Sequence, residues 1–159
     1  MSSELANGGA MALCAAAYDG NLKEVKALVE GRGIKADVTD PYQGSTALHW
    51  ACFGGQLEVA KWLVKKAGSS VNYKNKENRT ALLFACERCH LKVAQFLVKE
   101  GHAEVNEADK ECGHTPLHRA CVAGQARGEV RTRQGGRLAA VVHYSRFVHG
   151  CHFVVGMDC

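Results

Sequence analysis

Histidine and cysteine are the residues of this sequence with the most chemistry to offer, and its 159 residues include eight of each. Imidazole and thiolate are the ligands zinc prefers, and a structural site needs four of them. The one local cluster is His143, His149, Cys151, His152 and Cys159. It lacks the Cys-x-x-Cys or His-x3-His pairing of such sites, so no metal is expected there. The sequence has no Gly-rich phosphate loop, paired-carboxylate motif or nucleophile elbow. His49 and His118 look like acid–base or metal candidates until their setting is noticed. Each is the fourth residue of one word, Thr-x-Leu-His, opened by Thr46 and by Thr115. Cys52, Cys86 and Cys121 also share one equivalent place, held by Ala17 in an earlier copy. A place that accepts Ala or Cys wants a small apolar group in a tight contact, which a reduced thiol supplies. No catalytic residue, metal or cofactor is expected. The competing reading is a Cys/His-dependent metal or redox protein.

These words belong to a repeat. Residues 46–68 read TALHWACFGGQLEVAKWLVKKAG, and Thr80 opens TALLFACERCHLKVAQFLVKEG 34 residues later. Thr115 then opens TPLHRACVAGQ, and a looser copy, MALCAAAYDGNLKEVKALVEG, occupies residues 11–31. Each full copy predicts a short helix of small residues, a break, and a second helix with an apolar stripe. In the second copy that stripe is Leu57, Ala60, Leu63 and Val64; in the third it is Leu91, Ala94, Leu97 and Val98. Helices this short do not hold alone, so neighbouring copies must bury their faces. Gly20, Gly55 and Gly124 stand at the break, where a left-handed residue ends the first helix. The third copy has Cys89 there, at a cost of roughly 1 kcal/mol if the conformation is kept. Between copies, Gly44, Asn78 and Gly113 suit positive φ in protruding turns.

The period and the Gly-x-Thr-Pro-Leu-His word, met by GSTALHWACFGG and GHTPLHRACVAG and less fully by NRTALLFACERC, resemble the ankyrin repeat family. The resemblance implies an all-α solenoid of stacked helix-turn-helix units with β-turn fingers. Its copies cover residues 10–36, 37–70, 71–104 and, in part, 105–125. Residues 1–9 are expected to be frayed, and residues 126–159 to form an irregular, non-repeat tail. The copy at residues 46–68 is expected to be the most stable part.

The resemblance also implies protein–protein recognition through finger tips and the exposed ends of the first helices, as a non-catalytic adaptor or scaffold. The expected contacts on the fingers are Tyr42, Gln43, Ser45, Lys74, Lys76, Glu77, Arg79, Lys110, Glu111 and His114. At the helix ends they are Tyr18, Asp19, Phe53, Glu87, Arg88 and Val122. Phe53 could anchor a hot spot or shield a neighbouring helix; Trp50 and Phe84 are assigned to the core. His49 and His118 take the family's structural role of bonding turn backbone. Asn72 and Asn106 match the finger asparagine that tethers backbone between repeats and is hydroxylated in some members. The sequon Asn78-Arg79-Thr80 is set aside for want of a secretory leader.

Charge and hydropathy narrow the partners. The formal charge is +4, but residues 126–159 hold five arginines against Glu129 and Asp158, which leaves +1 for the repeats. No basic face argues for nucleic acid, and no apolar run approaches the roughly 18 residues that cross a bilayer. Another protein is the expected partner, without specific nucleic acid, membrane insertion or small-molecule substrate, in the cytoplasm or nucleus. The same array would also suit the N-terminal fragment of a larger enzyme or channel. A fourth copy that loses its pattern after Gln125 is what an alternative splice end, retained intron or gene-model error produces. Without a polar cap, apolar surface on the last copies stays uncovered. Appending a full capping repeat after Gln125 is therefore expected to raise the urea midpoint, read by circular dichroism.

Overall fold

A computed structural model describes the backbone of residues 2–122, 129–134 and 137–143, and the side chains of residues 8–120. The chain forms helices in pairs. Helix α1 (Ser2–Asp19) is followed by α2 (Leu22–Lys26), which continues into a π-helical turn, Ala27–Gly31. Then come α3 (Ala47–Phe53) with α4 (Leu57–Lys65), α5 (Ala81–Glu87) with α6 (Leu91–Lys99), and α7 (Pro116–Val122). The first helices of successive copies pack as one row, α1 on α3 on α5 on α7. The second helices pack as another, α2 on α4 on α6. The array is all-α, as the periodicity predicts.

The core lies between the rows. Leu13, Leu48 and Leu82 come from the inner row, and Val25, Leu63 and Leu97 from the outer. Burying each Leu contributes about 2 kcal/mol, which no isolated helix pair of this length could gather. Ala17 and Cys52 occupy the equivalent small position and are both fully buried, while Cys86, third in that series, is partly buried. The described cysteines, Cys14, Cys52, Cys86, Cys89 and Cys112, form no disulfide.

Two segments depart from the sequence reading. The N-terminal helix begins at Ser2, so residues expected to fray continue α1 instead. Gly9 explains how that turn sits: a Cβ there would lie 2.9 Å from Ile34 Cδ1, so the bare backbone packs against the chain leaving the π-helical turn. After the array, β1 (Glu129–Gln134) pairs antiparallel with β2 (Arg137–His143), with an irregularity between Thr132 and Arg133. The tail expected to be irregular thus carries a hairpin, with Leu138, Val141 and Val142 on its second strand. Gly135-Gly136 between two Val- and Thr-bearing runs is the hairpin signal in the sequence.

The break in the third copy keeps its geometry despite the substitution. Cys89 has φ 71°, beside 77° for Gly20 and 74° for Gly55. Its backbone makes the same bond as theirs: His90 N–H donates to Ala85 O at 2.9 Å, as Gln56 donates to Ala51 and Asn21 to Ala16. The repeat holds this break left-handed whichever residue occupies it, and Cys89 bears the steric cost of its Cβ. Cys89→Gly is expected to stabilise the protein by about 1 kcal/mol in urea unfolding.

Candidate functional site

Each finger is closed by one side chain. In the first, Asp40 Oδ1 accepts from the amides of Tyr42 (2.9 Å) and Gln43 (2.7 Å), and Oδ2 from Ser45 N–H (2.8 Å). In the second, Asn75 Oδ1 accepts from Glu77 and Arg79 amides at 3.0 and 2.9 Å. In the third, Asp109 Oδ1 accepts from Cys112 (2.8 Å) and His114 (3.4 Å). The chain then returns on itself, with the amides of Asp40, Asn75 and Asp109 donating to Ser45, Arg79 and His114 carbonyls. Short polar side chains suit such turns because they supply acceptors that the reversed backbone cannot reach elsewhere. Neighbouring fingers join through backbone: Lys76 N–H donates to Gln43 O at 3.0 Å and Lys110 N–H to Glu77 O at 2.9 Å.

A histidine ties helix row to fingers. His49 is fully buried. Its Nδ1 accepts from Thr46 N–H at 3.1 Å, and its Nε2 donates to the Arg79 carbonyl of the next finger at 3.1 Å. One ring nitrogen must accept and the other donate, so the ring is neutral; burial pushes its pKa down to about 4. A second tether follows the breaks of the second and third copies. Gln56 Nε2 donates to Tyr18 O at 3.0 Å, and His90 Nε2 meets Phe53 O at the same distance, each joining successive copies. Asn72 provides a third, accepting from Glu104 N–H at 2.9 Å and reaching His102 O at 3.4 Å.

On the inner row, aromatic rings run along the stack. Phe53 lies 6.1 Å from Tyr18, 5.9 Å from Trp50 and 5.7 Å from Phe84, ring centre to ring centre. Cations cover the two phenylalanines: Arg88 stands 4.7 Å from the Phe53 centroid and Arg79 4.5 Å from that of Phe84. Arg79 also pairs with Glu87 and, at 3.6 Å, with Glu77. The result is a surface of planar groups on short, well-tethered helices, the kind that loses little entropy on binding.

A family model described as "Ankyrin repeats (3 copies)" matches residues 2–75 and 67–128. The chain belongs to the ankyrin repeat family. It is 45% identical over 53 residues to the 26S proteasome non-ATPase regulatory subunit 10 of Dictyostelium discoideum, a match covering 33% of this chain and 22% of that protein. It is 36% identical over 64 residues to the palmitoyltransferase AKR1 of Kluyveromyces lactis, covering 40% of this chain and 8% of that protein. The chain therefore spans only a minor part of either relative.

The ankyrin array distributes the expected contact residues unevenly. Tyr18, Asp19, Tyr42, Glu77, Arg88 and Glu111 are exposed, and Gln43, Phe53, Glu87 and His114 are half-buried. Ser45 is not available: it is fully buried, and its hydroxyl accepts from Asn75 Nδ2 at 3.0 Å, so it joins two fingers instead of facing a partner. Arg79 is largely taken up by its acids and the Phe84 face. Lys76 Nζ bridges back to the Pro41 and Tyr42 carbonyls at 2.7 and 3.0 Å, Lys110 Nζ to Lys76 O at 3.3 Å, and Lys74 pairs with Glu107 at 2.6 Å. These lysines serve the stack as well as its surface. The side chain of Val122 lies outside the described residues, as does the His/Cys cluster of the tail, whose His143 is described only as backbone in β2. Asp40, Asn75, Asp109, Gln56 and His90 hold the fingers and copies together and are not singled out by sequence reasoning, although their recurrence at equivalent repeat positions is visible there.

Trp50 and Phe84 separate. Phe84 is buried, whereas Trp50 is only half-buried and lines an opening beside the first finger. Among the described residues no cluster of His, Cys, Asp and Glu could hold a metal. Burial pushes the thiols of Cys14 and Cys86 up to about 12, aided by Asp40 and by Cys89 respectively, the reverse of the setting that activates a cysteine.

The neutral state of His49 has a measurable consequence. Its folded pKa lies below the ordinary 6.5, so the unfolded chain takes up a proton first as pH falls. The contribution is complete above pH 6.5 and lost towards pH 4, with a total on the order of 3 kcal/mol. His49→Leu, which copies the third repeat's Leu83, is expected to remove this slope in urea titrations run across that interval.

Proposed function

We propose that the array is a non-catalytic adaptor or scaffold that recognises another protein through the aromatic inner row and the first two finger tips, in the cytoplasm or nucleus. Ankyrin repeats mediate protein–protein interaction, and one observation carries the placement here. Tyr18, Tyr42, Phe53 and Arg88 share one side of a stack whose fingers and helices are tied by side-chain bonds from copy to copy. Aromatic and arginine side chains on a pre-organised support are the residues that dominate protein interfaces. Tyr42 is the most available of them, 77% exposed at the finger tip.

A second reading has the same array selecting partners for a larger enzyme. It is favoured by the similarity to a stretch of a protein named as a palmitoyltransferase, of which this chain covers 8%. No helix among the described residues is long and apolar enough to cross a membrane. Both readings use the same face.

The test begins with affinity capture by the full chain and identification of what is bound by mass spectrometry. Replacing Phe53, Glu87 and Arg88 together by Ala is then expected to weaken binding of the identified partner by at least about thirtyfold, roughly 2 kcal/mol, with helicity unchanged. Retained affinity would remove this face from consideration.

A further inference from the structure

In the first and third fingers the closing residue bonds to the fifth residue of the inner-helix word, Trp50 or Arg119, and the three fingers balance charge at this place differently. In the last, Asp109 Oδ2 accepts from Arg119 Nε at 3.0 Å and Nη2 at 2.8 Å, so a buried carboxylate has its cation. Burial would raise the Asp109 carboxyl, but the Cys112 amide, Arg119 and the His114 amide outweigh it and hold its pKa at about 2. In the middle finger the closing residue is Asn75, which has no charge, and the helix residue is Phe84. Amide goes with ring, and acid with guanidinium.

The first finger breaks that rule. Asp40 is 3% exposed and has Trp50 in the place of Arg119. Its carboxylate has neutral donors only, the amides of its own finger and Trp50 Nε1. The indole bond is 3.4 Å, longer than a good hydrogen bond. Among the described residues Asp40 makes no ion pair. A buried carboxylate without a cation is costly, and its field is felt in the wall beside it, where it helps to raise the Cys14 thiol. In front of it opens a cavity of about 350 Å³, walled by Met11, Cys14, Tyr18, Tyr42 and Trp50. Aromatic faces around a negative floor attract a cation, and a flat, weakly hydrated guanidinium stacks on them better than an ammonium.

We propose that this cavity receives the guanidinium of an arginine carried by a partner polypeptide, in the place where the array itself supplies Arg119 to Asp109. The proposal rests on the protein-recognition reading and specifies the chemistry of one contact within it. The partner's arginine would lie between the Tyr18, Tyr42 and Trp50 rings with its nitrogens towards Asp40 Oδ2. Its stem would run out past Met11, leaving the rest of the partner to follow the inner row.

The experiment is a titration of the full chain with N-acetyl-arginine methylamide, followed through the backbone amides of Tyr42, Gln43 and Ser45 by nuclear magnetic resonance. Saturable shifts are expected, about tenfold weaker with the uncharged isostere N-acetyl-citrulline methylamide, and weaker also with the lysine analogue. Trp50→Arg should fold, since Arg119 holds that place in the last copy, and should show no binding because the site is filled from within. Tyr42→Ala, at an exposed tip, should fold in any case and lose about tenfold. Equal binding of the citrulline probe, equal or tighter binding of the lysine probe, absence of saturable shifts, or undiminished binding by both variants would each overturn the proposal. Wild-type binding by Trp50→Arg alongside a lost partner in the Phe53, Glu87 and Arg88 variant would overturn the pocket and leave the adaptor reading standing.

Discussion

The closing of each finger by a single carboxylate or amide is the interaction on which the rest depends. A reversed chain at the surface has amides that cannot find carbonyl partners within their own turn, and Asp40, Asn75 and Asp109 supply the missing acceptors. Closing the finger fixes the direction in which Thr46, Thr80 and Thr115 enter the inner helices. It also brings the finger backbones close enough to bond to one another, as Lys76 does to Gln43 and Lys110 to Glu77. The stack is thus held on two levels: apolar faces between helix rows, and a polar ladder along the fingers. The first gives most of the stability; the second sets the register.

The two levels are coupled through His49, and the third copy shows the effect of removing that coupling. There Leu83 stands at the histidine position and is fully buried. It packs, but it accepts no bond from the word's opening residue, and the Thr80 hydroxyl is left buried without a partner. A buried hydroxyl in that state costs on the order of 1 kcal/mol or more. Apolar burial replaces a tether to the following finger. His118 restores the local half of the motif in the last copy, its Nδ1 lying 3.3 Å from Thr115 N–H. The joint from the third copy to the fourth therefore lacks a side-chain tie that the joint before it has, and it also carries the strained Cys89. The later part of the array thus has one side-chain tie fewer and one strained residue more than the earlier part.

Periodicity made the helix rows legible because apolar spacing is a property of many residues at once, and a single substitution such as Cys89 does not disturb it. Conformations at special backbone positions were legible for the same reason: Asn78, at φ 60°, stands where Gly44 and Gly113 do. Contacts were less legible. Ser45 reads as a finger-tip polar residue, and its burial depends on Asn75 reaching across from the next finger, a pairing no local pattern reveals. Trp50 reads as core because its repeat position is apolar, yet the space beside it opens where α1 and the first finger part. The roles of Lys76 and Lys110 turn on carbonyls of a neighbouring copy. What escaped the sequence is what passes between copies through side chains, since each depends on a residue thirty or more positions away.

The proposed placement of the binding surface rests on this asymmetry. An interface gains affinity from planar side chains that are already ordered before the partner arrives. On the N-terminal side, Tyr18 and Phe53 ride on helices whose terminal carbonyls are held by Gln56 and His90, so their rings are positioned from behind by the next copy. Towards the C-terminal side the corresponding charged groups face inward: Arg79 is engaged by Glu87, and Arg119 by Asp109. Those residues have made within the chain the bonds that a partner would otherwise offer. A partner would gain most where ordered side chains still have a face to give, and for that reason the proposed surface is centred on the first two copies.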